Sequence, residues 1–309
     1  MNGIGVQPKR QLDLSFVRHG ERTILGRKLF SWPFVLTRPF SLDPAPAHML
    51  SIILQSGAGA LHGEDRLFQR FVVGEGAAVH IATPGATSVH RAYHGHAALE
   101  QLEMAVAPGG HFEYLPEARI LFPDAALDSV FDIKVAFGGT ALVADAFTLH
   151  DPSGAGRMFR RLRATTQLRR PGESPFTVER LIVDGEVPRF TRHRAFGSLY
   201  FVIAASADAL TDFVAELNRG LATVPGLYAA ASLLQDGNGI GVRFAAAELR
   251  SLRRGVQFCW ISCRLWQFGA LPGARPAEAV SYPSIRQFAL DLYNASSMGL
   301  SMPSARDEP

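Results

Sequence analysis

Three histidines lie within the seven residues HRAYHGH, at His90, His94 and His96. Imidazole nitrogens are good ligands for nickel, copper and zinc, so this spacing could hold a transition metal. Gly95 and the strand-like sequences on both sides predict a hairpin turn, which would expose the imidazoles to solvent. Because the segment itself contains no cysteine or carboxylate, an exposed turn without a metal role is the alternative interpretation.

The two cysteines, Cys259 and Cys263, are four residues apart in a segment with helical periodicity. This spacing places both sulfurs on one helix face, where they could bind a metal. The same face carries leucine, valine and tryptophan, which favours buried thiols that pack as small hydrophobic groups. Two cysteines are too few for a disulfide-rich secreted scaffold, so we expect a reducing, cytoplasmic location.

Three acidic residues are candidates for ligands or catalytic groups: Asp65, Asp145 and Glu179. Asp145 and Glu179 lie within apolar strand-like segments, LVADAF and FTVERL, where a carboxylate is costly unless it is paired or hydrogen-bonded. Paired carboxylates on a long β scaffold could hydrolyse glycosidic bonds, so a carbohydrate-active enzyme is one hypothesis. The structural alternatives are that Asp65 closes a turn and that Glu179 pairs with an arginine such as Arg180.

Motifs of other enzyme classes are missing from the sequence. It contains no G-x-S-x-G, Walker A or HExxH sequence. The segment GNGIG at 237–241 lacks the spacing of a phosphate-binding loop and instead predicts a hairpin turn between two strands.

The elements that would position these residues are mainly strands, which we predict over residues 11–205. Three stretches, at 72–82, 105–115 and 135–145, each contain a strand, a glycine-containing turn and a second strand. Their period of roughly thirty residues predicts stacked units that bury each other's apolar faces. We therefore predict a mainly β fold, a large coiled β-superhelix with two layers, in which glycine supplies the positive φ of tight hairpins.

Two helices are predicted in the C-terminal half, at 207–224 and 245–269, with Gly269 as a C-terminal cap. Residues 1–300 are predicted to form a single domain. The proline-rich, charged tail at 301–309 is predicted to be disordered.

The composition excludes some classes of partner. The 309 residues carry a formal net charge of +3, and Lys9, Lys28 and Lys134 are the only lysines among many arginines. No basic run is interleaved with aromatic residues, which argues against nucleic-acid binding. The longest apolar run, at 199–205, is too short to cross a bilayer, so no membrane association is expected.

Several segments, in conserved order from residue 11 to about 268, resemble motifs of the UreD (UreH) family of urease accessory proteins. The most specific is FEYLPEARILFPDA at 112–125, which is similar to the family's EWLPQ-x-x-I-x-F-x-x-A. The others are LTRPFSLD at 36–43, GAGALHGEDRL at 57–67, ATPGATSVHR at 82–91, VADAFTL at 143–149, SPFTVERL at 174–181, and GLYAAASLL with VRF at 226–234 and 242–244.

The resemblance implies a non-catalytic scaffold with a β-rich superhelical fold and two helices. Members of this family bind apo-urease, join the accessory protein UreF and the GTPase UreG, and are thought to pass nickel through an internal tunnel. It therefore implies no permanently bound cofactor, nickel in transit, and a possible dimer within the accessory complex. A UreD-like scaffold for a different metalloenzyme is the remaining alternative.

The resemblance also implies which residues would line the nickel route. Asp145, Glu179 and Asp65 coincide with acidic positions of the family, and carboxylates suit transient nickel transfer better than thiolates do. Neutral hydroxyl groups along the same route would come from Thr83, Thr87 and Ser88.

The chain also departs from the family pattern. Ser88 stands where the family has lysine, Glu64 stands where a glycine is usual, and the family's L-P-R-x-W ending is missing. The family's turn corresponding to HRAYHGH is not rich in histidine, so the three histidines do not belong to the inherited route. These differences indicate a divergent copy.

Overall fold

The computed structural model describes residues 10–185 and 192–273, which form eighteen strands, two α-helices and one short 3-10 helix. The predicted tail at 301–309 lies outside the described residues. The helices are α1 (Ala207–Leu221) and α2 (Leu249–Phe268). The strands are β1 (Leu12–His19), β2 (Arg22–Phe30), β3 (Phe34–Leu36), β4 (Leu50–Ser56), β5 (Ala60–Leu61), β6 (Arg66–Val73), β7 (Ala78–Ala82), β8 (Thr87–Val89), β9 (Ala98–Val106), β10 (His111–Leu115), β11 (Arg119–Leu121), β12 (Ala126–Val135), β13 (Thr140–Leu149), β14 (Arg161–Arg169), β15 (Pro175–Asp184), β16 (Ala195–Val202), β17 (Leu227–Leu233) and β18 (Gly239–Ala246).

Two sheets pack face to face. The first has seven strands in the order β15-β14-β12-β9-β6-β1-β2. The second has eleven strands, eight of which follow the order β17-β18-β16-β13-β10-β7-β4-β3, while β5, β8 and β11 extend it beside β13. The central strands of both sheets run parallel, because the chain returns to the same sheet in the same direction after each coil.

The chain crosses from one sheet to the other at glycine turns. β6, β9 and β12 lie in the first sheet, and the turns that follow them lead into β7, β10 and β13 of the second. Gly76, Gly109 and Gly138 in these turns have φ values of 63°, 66° and 76°, which glycine adopts without steric cost. The prediction of tight hairpins is therefore wrong here, because the two strands that each turn joins belong to different sheets.

The predicted stacking of repeated units is confirmed. Phe71 on β6 pairs with Met104 on β9, and Met104 is level with Ile133 on β12, so equivalent positions lie side by side in successive coils. All three side chains are buried between the two sheets. The mainly β, coiled, two-layer fold is thus the observed one.

The apolar side chains form two main cores on the two faces of the second sheet. One core lies between the sheets and contains Phe16, Phe71 and Phe112. The other lies between the second sheet and the helices, where Phe201 packs against Phe213 of α1 and Trp266 of α2. Buried residues in β10 and β13 occur in consecutive runs, because both faces of these central strands are covered.

Both predicted helices are present. Ser206 caps α1 through its side chain, which accepts a hydrogen bond from the backbone N–H of Ala209 at 3.3 Å. α2 begins later than predicted because residues up to Ala246 still pair in β18, and it ends as predicted at Gly269, with φ of 63°. The hairpin predicted at 237–241 is also confirmed, since β17 and β18 are antiparallel neighbours.

The N-terminal strands form an apolar, solvent-exposed end of the coil. β2 is the last strand of the first sheet and β3 is the last strand of the second. Large apolar side chains on or beside these strands remain exposed: Val17, Ile24, Leu29, Phe30, Trp32 and Val35. Within the described part of the chain, neither helix is long and apolar enough to span a membrane.

Candidate functional site

A buried arginine lies in the core between the two sheets. Arg119 is the first residue of β11, which pairs in parallel with β8 and β13 of the second sheet. The preceding Pro116 lies just after β10 ends, as expected of a residue without a backbone N–H to donate. The Arg119 residue is only 5% exposed, and its side chain reaches across to β9 of the first sheet.

The guanidinium of Arg119 is held between two carboxylates. Its Nε and Nη2 atoms donate to Oε2 of Glu100 at 2.9 and 2.5 Å, and its Nη1 atom donates to Oδ1 of Asp145 at 2.5 Å. The second oxygen of Glu100 accepts a hydrogen bond from Gln69 at 3.0 Å. Such charge-assisted contacts compensate the cost of placing three charges in a buried space.

The electrostatics keep the arginine charged. Burial lowers the pKa of Arg119, but Asp145 and Glu100 more than offset this, and the pKa rises above its usual value. Burial also raises the pKa of Asp145, with Arg119 acting in the opposite direction and Glu100 adding to the increase. The cluster therefore contains a permanent cation and a carboxylate, Asp145, whose charge depends on it.

Two cavities adjoin this cluster. The larger, of about 220 Å³, includes Glu100 in its wall, and the smaller, of about 150 Å³, includes Asp145. Among the described residues that line them, Arg119 is the one shared by both cavities. Both cavities therefore border Arg119. Further polar lining comes from Gln69, Thr83, Thr87 and Glu117 in the larger cavity and from Thr166, Glu179, Ser198 and Arg243 in the smaller.

Glu179 lines the smaller cavity from β15, at the edge of the first sheet. Its Oε1 atom accepts a hydrogen bond from Ser198 Oγ at 3.0 Å and contacts Arg243, both of which lie in the second sheet. Burial raises the pKa of Glu179, Arg243 opposes this, and Asp145 adds to the increase. Glu179 thus pairs with an arginine, as the structural alternative predicts, but the partner is Arg243 and not Arg180, because alternation along β15 leaves Arg180 exposed while Glu179 points inward.

The remaining candidates for the nickel route are divided between two places. Thr83 and Thr87 line the larger cavity, and Thr83 Oγ1 accepts a hydrogen bond from the backbone N–H of Glu117 at 2.8 Å. Ser88 and Asp65 line neither cavity. Asp65 closes a turn, since its carboxylate accepts a hydrogen bond from the backbone N–H of His62 at 2.8 Å, as the structural alternative predicts.

The three histidines of HRAYHGH do not lie in a hairpin. β8 and β9, on either side, belong to different sheets, so the segment is a crossing between layers. His94 is exposed, and His96 faces the carboxylate of Glu64 at 3.5 Å. His90 instead stacks between the rings of His62 and Phe122. Among the described residues, no group of three or more His, Cys, Asp or Glu side chains is arranged to hold a metal ion.

Cys259 and Cys263 are buried and unpaired on the face of α2 that packs against the second sheet. Burial raises the pKa of both thiols, which keeps them neutral. The structure thus supports the interpretation that they pack as hydrophobic groups.

A second buried polar cluster lies beneath α2, on the opposite face of the second sheet. Glu113, fully buried on β10, accepts hydrogen bonds from His80 at 2.7 Å, His111 at 3.0 Å, Trp260 at 2.9 Å and Arg264 at 3.0 Å. Arg264 also contacts Asp43 at 3.2 Å. Glu113 belongs to EYLP and Asp43 to RPFSLD, so two of the family-like motifs meet at one arginine and fix α2 in place.

Glu100 and Arg119 were missed in the sequence, although a signal was present for Glu100. In ALEQLEMAV, the period of two places Glu100 on the same strand face as Leu102 and Met104, which are core residues. A carboxylate in that register has to be paired or line a cavity. Arg119 gave no such signal, because it stands at the start of a three-residue strand.

Comparison with known proteins gives a consistent result. The sequence model of the UreD urease accessory protein family matches residues 9–277. Urease accessory protein UreD 2 of Bradyrhizobium sp. strain BTAi1 is 48% identical over 91% of this chain and 98% of its own length. UreD 2 of Bradyrhizobium sp. strain ORS 278 is also 48% identical, over 88% of this chain and 96% of its own length.

A second UreD protein of strain BTAi1 is less similar to this chain. UreD 1 of strain BTAi1 is 31% identical over 76% of this chain and 83% of its own length, against 48% for UreD 2 of the same strain. On the evidence of these matches over most of its length, the chain belongs to the UreD family of urease accessory proteins.

Proposed function

We propose that this chain is a scaffold for urease maturation that binds apo-urease, joins UreF and UreG, and passes nickel through its interior to the urease active site. The observation that carries this proposal is the pair of partly open cavities between the two sheets. Their walls carry the carboxylates of Glu100, Asp145 and Glu179. Carboxylates that line cavities in a core are candidate ligands for a cation that enters these spaces.

The chemistry of the lining suits nickel in transit. Carboxylate and hydroxyl oxygens bind a divalent cation but release it more readily than thiolates, which retain borderline metals tightly. The two cysteines lie in the other core, against the helices, and line neither cavity. Nickel is therefore a transported substrate and has no permanent site in this proposal.

The exposed end of the coil supports the role of a scaffold. Trp32 is 72% exposed, and the neighbouring Ile24 and Phe30 are 41% and 43% exposed. Clustered exposed apolar side chains commonly mark protein–protein interfaces. We assign this end to partner binding within the accessory complex, which could hold one copy of the chain or a dimer.

The carbohydrate-active alternative gains no support from the geometry. A glycosidase needs a general acid and a second carboxylate on either side of the bound sugar. Here Asp145 is bound by Arg119 and Glu179 by Arg243, and both lie in a cavity of only about 150 Å³. This space is smaller than a typical small-molecule pocket.

The proposal is tested in cells that depend on this chain for urease activity. Removal of the chain is expected to leave urease without nickel and inactive, and the chain is expected to co-purify with UreF and UreG. Asp145→Asn and Glu179→Gln are expected to lower both the urease activity and its nickel content while complex formation persists.

The matched control is Asp13→Asn. Asp13 is a buried carboxylate that pairs with the partly exposed Arg27 at 2.9 Å and Arg70 at 3.6 Å but lines neither cavity, so this variant tests the loss of a buried negative charge alone. If urease remained fully active without the chain, the proposal as a whole would be wrong. If Asp13→Asn lowered activation as much as Asp145→Asn, the internal route would be wrong.

A further inference from the structure

Arg119 lies at the junction of the two cavities, which we define as the place where both have this residue in their wall. It lines both cavities, while Glu100 lines only the larger and Asp145 only the smaller. Its guanidinium contacts a carboxylate in each direction, at 2.5 Å in both cases. The cation also lies over the Phe131 ring, 5.5 Å from its centroid. The side chain is therefore fixed at the junction by contacts on three sides.

The charges at the junction favour a divalent cation over a monovalent one. Glu100, Asp145 and Arg119 together carry a formal charge of −1, so a cation is attracted towards the cluster. A monovalent ion offers these carboxylates no more charge than the guanidinium already does, and it lacks the guanidinium's hydrogen bonds. A divalent cation carries twice the charge and binds carboxylate oxygens directly, so it can compete for them.

We infer that Arg119 is an internal gate for divalent cations: it closes the junction by pairing with Glu100 and Asp145, and an arriving divalent cation opens it by replacing the guanidinium between these carboxylates. This inference rests on the proposed function, because it assigns the step that controls passage between the cavities. After the cation moves on towards Glu179, the guanidinium pairs again with both carboxylates and the junction closes. Arg119 thus promotes release as well as selecting the ion.

Removing the Arg119 guanidinium is expected to make the junction bind nickel more tightly and release it less readily. In Arg119→Gln the two carboxylates lose their counter-charge, and the space between the cavities becomes open to an ion. Equilibrium dialysis of the full-length chain against nickel chloride is expected to show an at least tenfold lower Kd for Ni²⁺ than in the wild type. Urease activation is expected to fall, because the ion is held rather than released.

Two variants separate this effect from general damage. Arg170→Gln also removes a buried arginine, which bonds to the carbonyl oxygen of Val135 and the side chain of Asn238, but Arg170 lines neither cavity. It is expected to bind no more nickel than the wild type. Adding Asp145→Asn to Arg119→Gln is expected to abolish the gain in nickel affinity.

Should Arg119→Gln fail to fold, Arg119→Lys provides the same test. An ammonium keeps the positive charge but lacks the planar fork that contacts both carboxylates at once, so nickel is expected to replace it at lower concentrations than in the wild type. If the folded Arg119 variant binds Ni²⁺ with the same affinity as the wild type, the proposed gate is refuted. If cells that lack the chain have inactive urease but the Arg119 variant binds nickel as the wild type does, only the gate is refuted. If cells that lack the chain have fully active urease, the proposed function is refuted as well.

Discussion

Replacing Glu113 with glutamine is expected to destabilise the protein strongly without touching either cavity. Glu113 is fully buried, and four different side chains donate hydrogen bonds to its carboxylate. The substitution preserves the shape of the side chain but removes its charge, and it turns one accepting oxygen into a donating amide. Among the described residues, the Arg264 guanidinium, 1% exposed, then keeps only Asp43 as a charged partner.

The magnitude follows from the burial of the pair. Removing one partner of a buried ion pair typically costs about 3–5 kcal/mol, because the other charge is left without compensation. At about 2 °C per kcal/mol for a large domain, the melting temperature is expected to fall by roughly 6–10 °C. Urea unfolding followed by circular dichroism, together with thermal melting, measures both quantities.

The neighbouring Glu117→Gln is the matched control. Glu117 also pairs with an arginine of α2, Arg253 at 2.7 Å, but both side chains are about one third exposed. An exposed pair of this kind contributes about 0–1 kcal/mol, so the loss is expected to be small.

A triple variant tests whether the buried charges around Arg264 are the cause. Glu113→Gln combined with Arg264→Met and Asp43→Asn removes all three charges and is expected to be more stable than Glu113→Gln alone, because no buried charge is left without its partner. If Glu113→Gln cost no more than Glu117→Gln, the assignment of Glu113 as the buried anchor of α2 would be refuted.

Three further outcomes are expected. Arg264 and two histidines lower the pKa of Glu113 well below 4.5 despite its burial, so its stabilisation is complete above the unfolded pKa and is lost as the pH falls through the folded pKa. The stability difference between wild type and Glu113→Gln is therefore expected to shrink as the pH falls below about 4 in urea titrations. Gly63→Ala is expected to lower the free energy of unfolding in urea by about 1–3 kcal/mol, because the new Cβ would lie 2.3 Å from the Cβ of Ala92. At Gly85 an added Cβ meets no atom within 4 Å, so Gly85→Ala is expected to leave the stability nearly unchanged. The buried thiols of Cys259 and Cys263 are expected to resist alkylation by iodoacetamide, measured by mass spectrometry, until the protein is unfolded; rapid labelling of the native protein would contradict their placement.

The sequence pattern predicted the strands, turns and helices, which depend mainly on residues that are close in sequence. Period-two alternation predicted strands, glycine predicted the turns, and period-3.6 stripes predicted α1 and α2. The thirty-residue repetition predicted stacking, but it did not show that the glycine turns lead from one sheet to the other. A turn sequence specifies positive φ and says little about which distant strand will pair with the strand that follows it.

For the candidate site, too, the sequence predicted one part and the structure was needed for the rest. The apolar settings of Asp145 and Glu179 marked both carboxylates in the sequence, because burying a charge has a cost that is visible locally. Their partners were not visible: Glu179 pairs with Arg243 rather than with the adjacent Arg180, and Arg119 joins Glu100 to Asp145. These contacts bring together residues from different coils and from opposite sheets.

The sequence by itself thus determined the fold class, the family and the carboxylates that need explanation. Only the tertiary structure decided that Asp145 and Glu179 share a cavity, that Asp65 does not, and that Arg119 lies between the two cavities. The physical reason is that the side-chain pattern of one strand fixes which face a residue points towards, whereas the partners across that face are set by how the coils stack and how the two sheets pack.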